Sequence, residues 1–141
     1  MASILTSFGE IIDKYTILLI KSEKIIDPIK YTNVRKELDI IKPIVDSLIL
    51  DVSKTTIDIK TLIPVKNLSH KFEDMIDELK EINLKLWDIE DNIRNKEKIG
   101  SFDEEFISLA RNVYKYNDNR ARIKYTINQL TQSPICEEKS Y

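Results

Sequence analysis

The stretch LSHKFEDMIDELKEINLKLWDIEDNIRNKEK, residues 68–98, contains neither Gly nor Pro. Its apolar residues Leu68, Phe72, Met75, Leu79, Ile82, Leu86, Ile89 and Ile93 are spaced alternately four and three apart. That is the heptad seam of a coiled-coil-like helix packed lengthwise against others. At about 1.5 Å rise per residue it spans roughly 45 Å, the scale of a small domain. A second stripe, Asn83, Trp87, Glu90 and Arg94, repeats the four-three-four spacing one residue round the same helix. The first stripe reads as fold, and the second, being polar and aromatic, as a place for function.

Outward from this helix the rest of the chain follows the same pattern. Gly100 is a suitable residue to end it, and Ser101-Phe102-Asp103-Glu104 has the form of a capping box for a further helix over 102–131, stopped by Ser133-Pro134. The seam of that helix is Phe102, Phe106, Leu109, Val113, Tyr116, Arg120, Ile123, Ile127 and Leu130, with Arg120 where the pattern reserves a core side chain. Two long helices joined by so few residues form an antiparallel hairpin. Upstream, Ser7-Phe8-Gly9-Glu10 repeats the capping box and opens a helix over 7–26 with a seam through Phe8, Ile11, Tyr15, Leu18 and Ile25. On that seam Asp13 and Lys14 fall outside and are expected in solvent. Asp27-Pro28 then starts another helix over 28–50, seamed by Tyr31, Val34, Leu38, Ile41, Val45 and Leu48. Pro43 removes a backbone donor inside it, so a kink or break is expected near residue 42.

Residues 53–66 are rich in β-branched side chains and read as a long connection, with any short extended segment lacking a partner. The expectation is therefore an all-α antiparallel bundle of about four helices in one domain, dominated by the hairpin of 68–98 with 102–131, and ending in a non-helical tail over 133–141. Because the hairpin helices are longer than the first two, their far ends should project and pair with a second copy as a homo-oligomer, most simply a dimer.

Composition narrows the functional classes. With 141 residues, a net charge of −2 and no basic block, the chain offers no footprint for nucleic acid. Charges interrupt the apolar runs of the first twenty residues, so no membrane span or signal segment is expected there. The single cysteine, Cys136, allows no internal disulfide and suits a reducing cytoplasm. Neither a cofactor nor a metal is implied, and no catalytic residue is assigned. His70 reads as an exposed imidazole at a helix start, and no glycine-rich loop exists to cradle a phosphate.

Arginines are scarce beside lysines, five against 17, so each is informative: a planar fork holds carboxylate or phosphate as an ammonium cannot. Trp87, Glu90 and Arg94 share one helix face, and Tyr114, Asn117, Asp118 and Lys124 share one on the next helix, with Arg120 nearby. A buried Arg120 needs Glu90, Asp118 or an anionic ligand beside it. With Arg35 as a further anion clamp, these nine residues are the candidate ligand site of a non-catalytic interaction or ligand-binding module, for a small polar or anionic molecule or a protein partner. The alternative is an enzyme acting on a phosphorylated small molecule. Glu78-Leu-Lys-Glu81 has the E-x-x-E form of all-helical, Mg²⁺-dependent nucleotide pyrophosphohydrolases, although the matching E-x-x-D is missing from the following helix.

Five segments carry a resemblance: Gly9-Glu-Ile-Ile-Asp-Lys-Tyr-Thr-Ile-Leu, Asn33-Val-Arg-Lys-Glu-Leu38, Leu86-Trp-Asp-Ile-Glu-Asp-Asn-Ile-Arg94, Asn117-Asp-Asn-Arg-Ala121 and Glu137-Glu-Lys-Ser-Tyr141. Through them nearly the whole chain, except 53–66, resembles a family of small bacterial and phage or viral proteins known as a domain of unknown function. The resemblance implies no activity. It favours sugar or sugar-phosphate ligands, linked to glycan assembly, and draws attention to the polar residues of these segments, among them Asp13, Thr16 and Tyr141. A tail so polar is expected to dock on the bundle, with Glu137 or Glu138 meeting an Arg or Lys of the second to fourth helices.

Overall fold

The computed structural model describes residues 2–54, 57–58, 63–64 and 68–140. Among these residues there are four helices, α1 (Phe8–Lys24), α2 (Pro28–Ser53), α3 (Leu68–Lys98) and α4 (Glu104–Thr131). The architecture is the expected helical bundle, with the α3–α4 hairpin as its frame. Helix α1 packs against all three others, and α2 against α1 and α3.

Helices α2 and α3 bury most of their heptad stripes, while of the expected seam residues Tyr31 and Phe102 are exposed and α4 buries only Ile123 and Ile127. From α2 come Val34, Leu38, Ile41, Val45, Leu48 and Val52, and from α3 come Leu68, Phe72, Met75, Ile76 and Leu79; Ile12 and Leu18 of α1 and Ile123 and Ile127 of α4 join the same cluster. A side chain as enclosed as Phe72 or Leu79 contributes about 2–3 kcal/mol by leaving water. This core ends early along the hairpin. From residue 90 to residue 122 no side chain is fully buried, so the distal part of the hairpin stands beyond the core.

Several local expectations are corrected. Helix α2 runs unbroken through Pro43 to Ser53. Pro43 is exposed, while the buried Val34, Leu38 and Ile41 before it and Val45 and Leu48 after it keep one face of the helix on the core, so it does not break there. Ser101 does not cap α4. Asp103 does, its carboxylate accepting from the Phe106 N–H at 2.9 Å, because the carboxylate is also held by Lys96 Nζ at 2.9 Å across the turn. Lys96 holds the Asp103 carboxyl down at about 2, with the Phe106 N–H adding to the effect. Two-residue strands β1 (Ile57–Asp58) and β2 (Ile63–Pro64) pair antiparallel, Ile57 opposite Pro64, so the extended part of the connection does have a partner. The rest of the expected connection, 55–56, 59–62 and 65–67, lies outside the described residues.

At the N-terminus of α1 the capping box forms only by half. The Ser7 hydroxyl accepts from the Glu10 N–H at 3.2 Å, but the Glu10 carboxylate turns to Lys124 Nζ at 2.6 Å. Its place is taken from the far end of the chain. Glu137 accepts from the Ser7 hydroxyl at 2.5 Å and from the Ser7 N–H at 3.4 Å, and Ser133 Oγ accepts from the Phe8 N–H at 3.1 Å. The tail thus docks on the bundle through the start of α1, with the Glu137 carboxylate also within the influence of Lys124 on α4. The position of Tyr141 lies outside the described residues.

Candidate functional site

Gly9 decides how closely α1 approaches α4. A Cβ there would stand 2.5 Å from the Lys124 carbonyl oxygen, so only glycine allows the contact in which its N–H donates to Asn128 Oδ1 at 2.7 Å. One turn on, the same face of α1 carries Asp13, which is buried at 2% exposure rather than solvated as expected. Asp13 accepts at Oδ1 from Arg120 Nε at 2.9 Å and from Asn83 Nδ2 at 2.9 Å. Its other oxygen takes Arg120 Nη2, with Lys124 Nζ at 3.9 Å. Asn83 also donates to Thr16 Oγ1 at 2.9 Å, and the Thr16 hydroxyl to the Asp13 carbonyl at 2.8 Å.

One buried carboxylate therefore ties α1, α3 and α4 together. The partner expected for Arg120 was Glu90, Asp118 or a ligand; the structure supplies Asp13. Arg120 is part-exposed, and the Asp13 hydrogen bonds hold its guanidinium above its ordinary pKa against the opposing effect of burial. Among the described residues no buried side-chain nitrogen or oxygen lacks a partner. The signal for Asp13 was present in the sequence: Gly9, Asp13, Thr16 and Ile20 repeat four-three-four along α1, beside the apolar seam rather than opposite it.

Directly beyond this network lies an open cleft of about 310 Å³ between α1, α3 and α4. Ile17, Ile20 and Leu86 form its apolar floor with Trp87. Its polar lining is Asn83, Glu90, Asp91 and Arg94 from α3 with Asn117 and Arg120 from α4. Arg120 Nη1 donates to Asn117 Oδ1 at 3.3 Å. Arg94 is mostly exposed and stands 3.8 Å from Glu90, a pair worth at most a few tenths of a kcal/mol.

Of the nine predicted site residues, the cleft brings together Trp87, Glu90, Arg94, Asn117 and Arg120. It leaves out the other four. Arg35 is exposed on α2, paired with Asp39 at 3.3 Å. Tyr114 is 54% exposed further along α4, and Asp118 points to solvent. Lys124 is engaged by Glu10 and lines a separate hollow under the tail. Glu78 and Glu81 are exposed, and among the described residues no three His, Cys, Asp or Glu side chains are grouped as a metal site requires. Among these residues, too, no helix is long and apolar enough to cross a membrane.

The model of a family of unknown function, DUF6165, matches residues 45–141. The match begins within α2, so α1, which brings Asp13 and Thr16 to the site, lies ahead of it. No curated protein and no solved structure matches the chain.

Proposed function

The chain belongs to the DUF6165 family, whose function is unknown, and from the geometry of its cleft we propose a non-catalytic module that binds a small polar ligand. The observation carrying this reading is the charge balance around Trp87. Arg120, the obvious anion clamp, already gives two N–H groups to Asp13 and one to Asn117. The remaining charges are two carboxylates, Glu90 and Asp91, against one exposed guanidinium, Arg94. Such a lining does not concentrate anions. It offers mixed donors and acceptors beside one aromatic face, which suits an uncharged polyhydroxylated ring of sugar type better than a phosphate. The volume is at the small end of ligand sites, and a single sugar ring is of that scale. The lining holds no histidine, cysteine or serine, and a binding role asks for none.

This reading sets the protein in the reducing cytoplasm, where Cys136 stays a thiol accepting from Asn128 Nδ2 at 3.7 Å. The test uses Trp87, the only tryptophan, as its own reporter. Titration with N-acetylglucosamine, glucose and glucose 1-phosphate should give a saturable fluorescence change with at least one neutral sugar, no tighter for the phosphate. Calorimetry on Trp87→Ala should show that binding lost. Absence of any saturable signal up to tens of millimolar sugar overturns the proposal, and clearly tighter binding of the phosphate overturns its charge argument.

A further inference from the structure

The cleft is one end of a longer groove. On α4 the face that receives α1, Asn117, Ala121, Lys124 and Asn128, continues toward the hairpin turn at the same three-four spacing as Ile107, Ala110 and Tyr114. On α3 the matching wall is Trp87, Glu90 and Arg94. Helix α1 meets the hairpin only near the core, its contacts running from Gly9 at Asn128 through Asp13 at Arg120 to Glu23 at Lys80. In the rest of the groove, Ile107 and Tyr114 are each 54% exposed. An apolar and small-residue strip beside two bare helices is the geometry into which another helix packs.

The charges say which helix. Lys96 opposite Asp103 and Glu105, together with Lys85 over the Tyr116 ring, set the hairpin register. Arg94 accordingly lies level with Ile107 on α4 and Glu90 level with Ala110, so the midpoint between them, Asn92, is level with Ser108 and Leu109. Read in reverse, the wall Glu90–Arg94 is its own electrostatic complement, since Glu90 of one strand opposes Arg94 of the other and conversely. A two-fold axis across the hairpin at that midpoint satisfies this and sets Ile107 of each copy against Ala110 of the other. It also puts the two α1 helices at opposite ends of the pair.

We propose that two copies of this chain associate antiparallel through the empty distal half of the α3–α4 groove, and that the partner's Arg94 and Glu90 close the open mouth of each cleft. The proposal takes from the ligand reading only the location of the cleft. Dimerisation is measured without sugar, so either can fail alone.

Sedimentation equilibrium of the full chain at low salt should give twice the 16.5 kDa chain mass. Ala110→Glu, at an exposed position, should give a helical monomer. Glu90→Arg should weaken the dimer about tenfold by setting like charges together, and Glu90→Arg with Arg94→Glu should restore it. Should Ala110→Glu lose its helical circular dichroism, the charge exchange alone decides. A wild-type chain that stays monomeric at hundreds of micromolar overturns the proposal. So does a dimer indifferent to a folded Ala110→Glu, or a double exchange no tighter than Glu90→Arg.

Discussion

Replacing Arg120 by Met leaves the Asp13 carboxylate in place, 2% exposed, with only the Asn83 amide and a Lys124 ammonium 3.9 Å away. Removing one member of a buried pair costs about 3–5 kcal/mol, chiefly because the survivor's charge is left uncompensated. Asp13 is itself enclosed, so the full range applies. The opposite removal, Asp13→Asn, orphans a guanidinium whose side chain is already 28% exposed and can turn toward solvent. A discount to about 1.5–3 kcal/mol is appropriate there. The claim is thus an asymmetry: Arg120→Met is the worse variant, by about 2 kcal/mol between the midpoints of the two ranges. Urea unfolding followed by Trp87 fluorescence and by circular dichroism measures both. For a chain of this size the Arg120→Met loss corresponds to a Tm lower by roughly 10–15 °C. If Arg120→Met lies within about 1 kcal/mol of wild type, or if Asp13→Asn is the more damaging, the network does not tie the helices together as described.

Gly9→Ala should destabilise by about 2–3 kcal/mol in the same assay, since a Cβ 2.5 Å from the Lys124 carbonyl must push α1 off α4; helix propensity alone would give a gain of about 0.5–1 kcal/mol, so the sign decides. Pro43→Ala restores a donor inside α2 at an exposed site, and thermal melts should show a gain of about 1–3 kcal/mol. Partial burial pushes the Glu137 carboxyl up, but the hydrogen bonds from Ser7 and the charge of Lys124 together hold it below its ordinary value. A depressed acid adds stability that is complete above its unfolded pKa and lost as pH falls through the folded one. Glu137→Gln should therefore be less stable than wild type near neutrality, the gap closing below about pH 4.3 as the unfolded carboxylate titrates; a gap independent of pH would refute the capping role.

Much of this fold is written in local pattern. Heptad spacing from Leu68 to Ile93 and from Phe106 to Leu130, with Gly100 between, dictates a hairpin because a helix must bury its apolar stripe and a short turn leaves it one neighbour. The same stripe logic placed Trp87, Glu90 and Arg94 on one face, and the cleft confirms that they share it. What local pattern cannot supply is which polar residue of one helix meets which of another. Asp13 and Lys14 are adjacent acidic and basic residues of α1, yet one is buried and the other 62% exposed. Only the docking of α1, set by a missing Cβ at Gly9, distinguishes them. The same holds for the chain ends: Ser7 announces a cap by itself, but that Glu137, 130 residues away, completes it follows from the tertiary course of α4, which returns the tail to the start of α1. Spacing along a helix fixes which side chains face together; the partner they face is a matter of how whole helices pack, and that depends on contacts no single segment contains.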